Sequence, residues 1–378
     1  MNLSRREALT MGVAAGVAVL GAKALSADEP SNPATTGYDA DVVIDACGGP
    51  GSYNSEQGIP LNDSMLQDIR ASGLTCASVT VGPVGTRPSA EALEGIFRDI
   101  GILEAEVDRH PDVLCKIKRH EDVAIAKSSR RLGLIYALQD GVAFEDNLDR
   151  LQMLYRFGLR IIQPTYNLRN LLGDGCLEPG NAGLSKSGRD AIRRMNELGI
   201  LVDLSHCGRQ TTNEAMEAST RPVAFTHTGC AAVYDHPRNK TDEQLRALAD
   251  KGGVAGIYFM PYLRPSGQPM AEDVIRHVEH ALQAAGEDHV GIGTDGVVSA
   301  LELTPEYVKM HKEEVAARKK AGIGAAGESE DVYLYIPDLN TPRRLETLAD
   351  LLFKRGHSST RVEKLLGANF ARLFHDAW

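Results

Sequence analysis

Residues 200–229 read ILVDLSHCGRQTTNEAMEASTRPVAFTHTG. Two short β-rich runs, 201–204 and 223–226, each break off into polar residues: Ser205-His206 after the first, His227 after the second. Runs this short and apolar suit strands covered on both faces, as in a parallel sheet packed against helices. Six further runs fit the same unit, at 42–45, 75–81, 133–138, 159–164, 254–259 and 290–294. Helical patterns lie between them, at 90–110, 147–157, 188–198, 241–251 and 271–285. Eight β-then-α units predict an α/β fold, a (β/α)8 TIM barrel. A doubly wound open sheet is the competing topology. No GxGxxG follows the first run, and eight evenly spread runs fit closure better.

A length of 378 residues allows two domains or one large barrel, and the strand series selects the barrel. Hydrophobic residues at 43% and charged residues at 24% are ordinary for a globular chain, which excludes a disordered or fibrous protein. The net charge of −10 comes without a basic block, so nucleic acid is excluded as a partner.

The N-terminus stands outside the barrel. Ser4-Arg5-Arg6 precedes an apolar stretch at 11–22, and small residues follow at Ala24, Ser26 and Ala27. That layout describes a cleaved signal over residues 1–27, of the twin-arginine type, and an exported, periplasmic or otherwise extracytoplasmic protein. The apolar stretch is well short of the ~20 residues needed to span a bilayer, so no membrane span is expected after signal removal. Cleavage removes three basic residues and one acidic, taking the charge from −10 to −12. Residues 28–40 read as a flexible lead, and 41–378 as one domain. Beyond the eighth run come a charged helix at 305–320, a loose stretch GIGAAGESED at 322–331, and two closing helices at 343–355 and 359–375. These form a C-terminal helical extension, with the loose stretch reading as surface rather than as a lid. Six cysteines, none in a CxxC pair, indicate neither a disulfide scaffold nor a zinc knuckle.

Chemistry in such barrels collects where strands end on the C-terminal face. The run ends supply His206, His227 and Asp295, with Cys47, Gln139, Asp140 and Tyr166 at others. Two neutral imidazoles from adjacent strands suit zinc or a related divalent ion, and a nearby carboxylate can take a proton from water. Arg238, 11 residues after His227, can clamp a substrate carboxylate with a two-pronged hydrogen bond, or form a surface salt bridge. His236 reads as a turn residue.

The segments LVDLSHCGRQTTNEAM, RPVAFTHTGCAAVYDHPRN, HVGIGTDG and LLGANFARLF resemble the membrane (renal) dipeptidase family of metallopeptidases, as a divergent bacterial branch. The resemblance implies an amidohydrolase-type barrel with two zinc ions that cleaves dipeptides or similar small amides, with a tendency to form homodimers. It implies His206 and His227 as ligands of one metal, Asp295 as the catalytic acid–base residue, and Arg238, with Tyr166 beside it, as substrate-binding groups. This chain departs from the family at the other metal. Cys47 and Gly49 stand where a His-x-Asp pair is usual, Gln139 holds the position of the bridging carboxylate, and Tyr166 replaces a histidine. Three outcomes follow. The chain is a one-metal hydrolase with Cys47 or Asp295 completing the ligands; or Asp140 replaces the missing carboxylate; or the barrel is a binding protein or a tailoring enzyme for an amino-acid-derived metabolite.

Overall fold

The computed structural model describes residues 37–55 and 60–378; the expected signal and most of the lead lie outside the described residues. Eight parallel strands coincide with the eight predicted runs: Ile44–Asp45, Cys76–Thr80, Leu132–Leu138, Leu159–Ile162, Leu201–Val202, Ala224–Thr228, Val254–Ile257 and Val290–Ile292. The first five pair in sequence, as do the last three. Closure depends on a few bonds at two seams. Asp203 bridges to Ala224 between the fifth and sixth strands, where the Leu204 amide donates to the Ala224 carbonyl at 2.8 Å. At the other seam the Ala46 amide donates to the Ile292 carbonyl at 3.0 Å, and the Asp295 amide to the Cys47 carbonyl at 2.7 Å.

Three strands were not anticipated, two of them Gly48–Gly49 and Gly296–Val297, which pair in parallel and extend the seam between the first and eighth runs. The third, Leu114–Lys116, pairs with the start of Leu132–Leu138, on the edge whose far half takes Leu159–Ile162. Helices unanticipated in detail run over Asp63–Ser72, Glu121–Ser129 and Arg209–Ala218. Tyr38, at the end of the expected lead, is buried and donates to the Ser72 carbonyl at 2.9 Å.

The C-terminal extension sets the polarity of the barrel. The expected helix at 359–375 is broken into Ser359–Glu363, a π turn at Lys364–Ala368, and Asn369–Ala377. A side chain at Gly367 would sit 2.2 Å from the Val42 carbonyl, so only glycine lets the chain cross the first strand there. Phe370, Leu373 and Phe374 then join Ile44, Cys76, Ile135, Leu201 and Val254, which line the barrel's N-terminal mouth, in one buried cluster. That mouth is plugged with apolar side chains, which leaves the C-terminal mouth for polar chemistry. Among the described residues no helix is long and apolar enough to cross a membrane.

Candidate active site

At the C-terminal mouth lies a cleft with about 740 Å³ of empty space. Its floor carries His206, Arg238, Asp295 and Tyr166, all picked out by the strand-end rule or the resemblance. The two histidines are buried, and their Nε2 atoms lie 2.9 Å apart. Their other nitrogens are fixed. Asn167 spends its amide on the Ile323 carbonyl at 2.8 Å, so its Oδ1 faces His206 Nδ1 at 2.6 Å as an acceptor. Thr226 donates to Asp203 Oδ2 at 2.5 Å, and its hydroxyl oxygen accepts from His227 Nδ1 at 2.9 Å. With both Nδ1 positions protonated, the two Nε2 lone pairs face one another. Burial, and then the Arg238 charge, pushes both histidines well below the usual imidazole range, so neither lone pair carries a proton at neutral pH. Two lone pairs this close repel unless a cation lies between them, and neutral imidazoles are divalent-metal ligands. The donor set fits a metal.

Cys47 Sγ, a His227 ring nitrogen and an Asp295 oxygen lie within 4.8 Å of one another, the one such ligand group among the described residues. Asp295 adopts φ 57°, a left-handed conformation that places its carboxylate beside the thiol, at 3.4 Å from Sγ. Burial raises the Asp295 carboxyl above its ordinary range, while Arg238 and Cys47 pull it back. Gln139 sits next to this group, its Nε2 donating to Thr80 Oγ1 at 2.9 Å and to Cys47 Sγ at 3.5 Å. Asp140 points elsewhere: its carboxylate accepts from the Gly85 amide at 2.9 Å and Asn170 Nδ2 at 3.1 Å. It therefore does not stand in for the absent carboxylate, as expected of the next residue along a strand.

Arg238 is buried, and its guanidinium donates only to the Ser205 and His227 carbonyls. Among the described residues no carboxylate lies within salt-bridge distance of it. The alternative role, a surface salt bridge, is not made among the described residues. Tyr166 stacks on His206 at 4.1 Å between ring centroids, and its hydroxyl accepts from Arg318 at 3.4 Å.

Arg318 lies in the charged helix of the C-terminal extension, and the loose stretch after it, expected to be plain surface, instead lines the cleft through Glu328. Helix Pro305–Lys320 and the stretch after it form a wall of the cleft. Glu328 holds the wall together, accepting from Arg318 Nε at 2.8 Å, the Tyr262 hydroxyl at 2.6 Å and the Ala325 amide at 3.0 Å. His236 is more than a turn residue. It stacks on Tyr262 at 4.7 Å and its Nε2 donates to the Ala326 carbonyl at 2.8 Å. Asn167 and Thr226 adjoin residues already singled out and were open to the same strand-end argument. Arg318 and Glu328 lie outside the β/α cycle, where no motif marks them.

Residues 62–313 match the family model of the membrane dipeptidases, peptidase family M19. The chain belongs to that family. Dipeptidase verJ of Clonostachys rogersoniana is 32% identical over 207 residues, covering 54% of this chain and 53% of that protein. The chain thus spans about half the length of that relative. A protein encoded in the pqqA 5′ region of Klebsiella pneumoniae is 31% identical over 268 residues, covering 68% of this chain and 86% of that one. Among solved structures, an amidohydrolase from Pseudomonas aeruginosa superposes with a TM-score of 0.76 at 28% identity, over 90% of this chain and 98% of that one. The family is one of dipeptidases, and a metallopeptidase family implies a metal cofactor.

Proposed function

We infer that this M19 member hydrolyses the amide bond of dipeptides or similar small amides at the cleft floored by His206, His227 and Asp295. The facing Nε2 atoms at 2.9 Å carry the reading, since that arrangement serves a cation and little else. His206 and His227 would hold the metal, for which two imidazoles make zinc the first choice. When bound, such an ion polarises the scissile carbonyl and makes water a usable nucleophile near neutral pH.

The remaining work falls to side chains. Arg238, charged and without a carboxylate partner, takes the substrate's carboxylate with a two-pronged hydrogen bond. Asp295 accepts the proton from the attacking water and returns it to the departing amine, a role suited to a buried carboxyl whose proton affinity is raised. Tyr166, stacked on His206 and tied to Arg318, orients the imidazole and forms the apolar side of the floor. The wall around Glu328 narrows access of bulk water. Residues 1–27 would export the protein before it meets its substrate; fractionation of cells expressing the Arg5→Lys, Arg6→Lys double variant tests this, with cytoplasmic retention expected.

A panel of dipeptides offered to the metal-loaded protein tests the hydrolase reading. Turnover of dipeptides, and at least about tenfold poorer turnover of their C-terminal amides, is expected from the loss of the Arg238 contact. No turnover of any dipeptide overturns it. The second reading, a binding or tailoring role on an amino-acid-derived metabolite, is favoured by one observation. The neutral amide of Gln139 occupies a place where a second ion would need a charge.

A further inference from the structure

We propose that the chain binds a single metal ion, with the Cys47 thiolate as its third ligand beside His206 and His227. The inference rests on the metal reading of the site but not on dipeptide turnover. His227 stands at the junction of two contacts: its Nε2 faces His206 Nε2 at 2.9 Å, and it shares with Cys47 and Asp295 the compact ligand group described above. Zinc bonds of roughly 2.0–2.3 Å put a sulfur and a nitrogen about 3.5 Å apart at a tetrahedral angle, so Cys47 and His227, within 4.8 Å, need a small adjustment, and His206, outside that group but 2.9 Å from His227 Nε2, has to turn toward the sulfur as the ion binds.

Burial and the carboxylates of Asp295, Asp45 and Asp203 hold the Cys47 thiol protonated until an ion binds, and it is the charge of the ion that displaces the proton. Asp295 Oδ1 at 3.4 Å receives the thiol proton when the sulfur binds the ion, and passes it to solvent. Gln139 Nε2, at 3.5 Å from Sγ, then donates to the thiolate and steadies its charge. A glutamate at 139 could not make that donation. Cys47 and Gln139 thus act together: the residue that ends the bridging role is the one that supports the sulfur.

Charge counts against a second ion. Asp45 is tied to the Thr294 amide and hydroxyl at 2.8 and 2.6 Å, and Asp203 to Ser205 and Thr226 at 2.5 Å each. Asp140 faces away, and Gly49 carries no side chain. Three protein ligands and one open position are also the usual arrangement of a catalytic zinc, and they leave Asp295 free to move protons.

Metal content and the spectrum of the cobalt-substituted full chain test the proposal. One ion per chain is expected, together with a near-ultraviolet thiolate-to-cobalt charge-transfer band that C47S abolishes while C207S keeps it. Two ions per chain, a wild-type spectrum without the band, or a band that survives C47S would each overturn it. Should C47S fail to fold, X-ray absorption on the wild-type zinc protein decides instead: one sulfur in the first shell supports the proposal, and a shell of nitrogen and oxygen alone refutes it. If the band is present but no dipeptide is cleaved, the hydrolase reading falls and the ligand assignment stands.

Discussion

Arg238 heads the fully buried side chains by size, its guanidinium donates to carbonyl oxygens, and the Tyr258 ring lies 5.7 Å from it. A guanidinium withdrawn from water without a carboxylate is costly, which is tolerable where a ligand supplies the anion. Arg238→Met should raise KM for carboxylate-bearing dipeptides by roughly 10–100-fold, the value of a charge-assisted pair, with a smaller effect on kcat. Steady-state kinetics on a dipeptide and its C-terminal amide check this; an equal loss on both would remove the clamp role. Asn167→Ala removes the acceptor that fixes the His206 tautomer, and a 10–100-fold weaker metal affinity is expected by competition with a chelator. The residues at strand ends were legible because a barrel concentrates polar side chains there. Arg238 was legible only as a spacing from His227, and its burial was not.

At the scale of elements, the wall made by Pro305–Lys320 and the residues after it depends on one carboxylate. Glu328 joins Arg318, Tyr262 and the Ala325 amide, and burial's upward push on its carboxyl is outweighed by Arg318, so it stays ionised. Glu328→Gln should loosen the wall by about 1–3 kcal/mol. Hydrogen exchange read by mass spectrometry should then quicken across 322–334 while the barrel strands keep their protection; uniform quickening would mean the wall is not a separate unit. The sequence of this stretch, rich in glycine and charge, reads as surface because its order comes from ten-residue-distant and longer contacts. The missed helix Arg209–Ala218 is similar: RQTTNEAMEA has a polar composition, and Thr211, Thr212, Ala215 and Met216 face inward only because the barrel is there. Helix Asp63–Ser72 did carry a signal, the Asn62 side chain accepting from the Met65 amide at 3.0 Å.

The molecule as a whole is held shut by close backbone approaches. Ideal side chains at Gly256 and Gly293 would fall 2.1 and 1.9 Å from the Thr226 carbonyl, next to the His227 strand. Gly293→Ala should cost more than about 3 kcal/mol and abolish soluble expression, because the obstacle is backbone. Period and length made the eight strands legible; the two seams were not, because they are closed by an isolated bridge and by two-residue strands of glycine and valine that carry no periodic signal. Buried histidines add a pH dependence. His277, pushed down to about 4 by burial, accepts from the Cys230 amide at 2.9 Å and donates to the Leu263 carbonyl at 3.0 Å. Its unfolded value is ~6.5, so its stabilising share is whole above that pH and is lost as pH falls toward 4, at most about 3 kcal/mol. Asp140, raised to about 6 mainly by burial, acts in the opposite sense over the same range. The difference in melting temperature between wild type and His277→Gln isolates the histidine, and it should shrink on acidification.

The proposed hydrolase activity depends on a metal that His206 and His227 would hold. Dipeptide hydrolysis, followed on one preparation while the metal is stripped with a chelator and titrated back, tests it most directly. Activity should fall to background, return in proportion to bound metal, and never return in His227→Ala. Full activity in the stripped protein, or none in the reloaded one, would contradict that dependence.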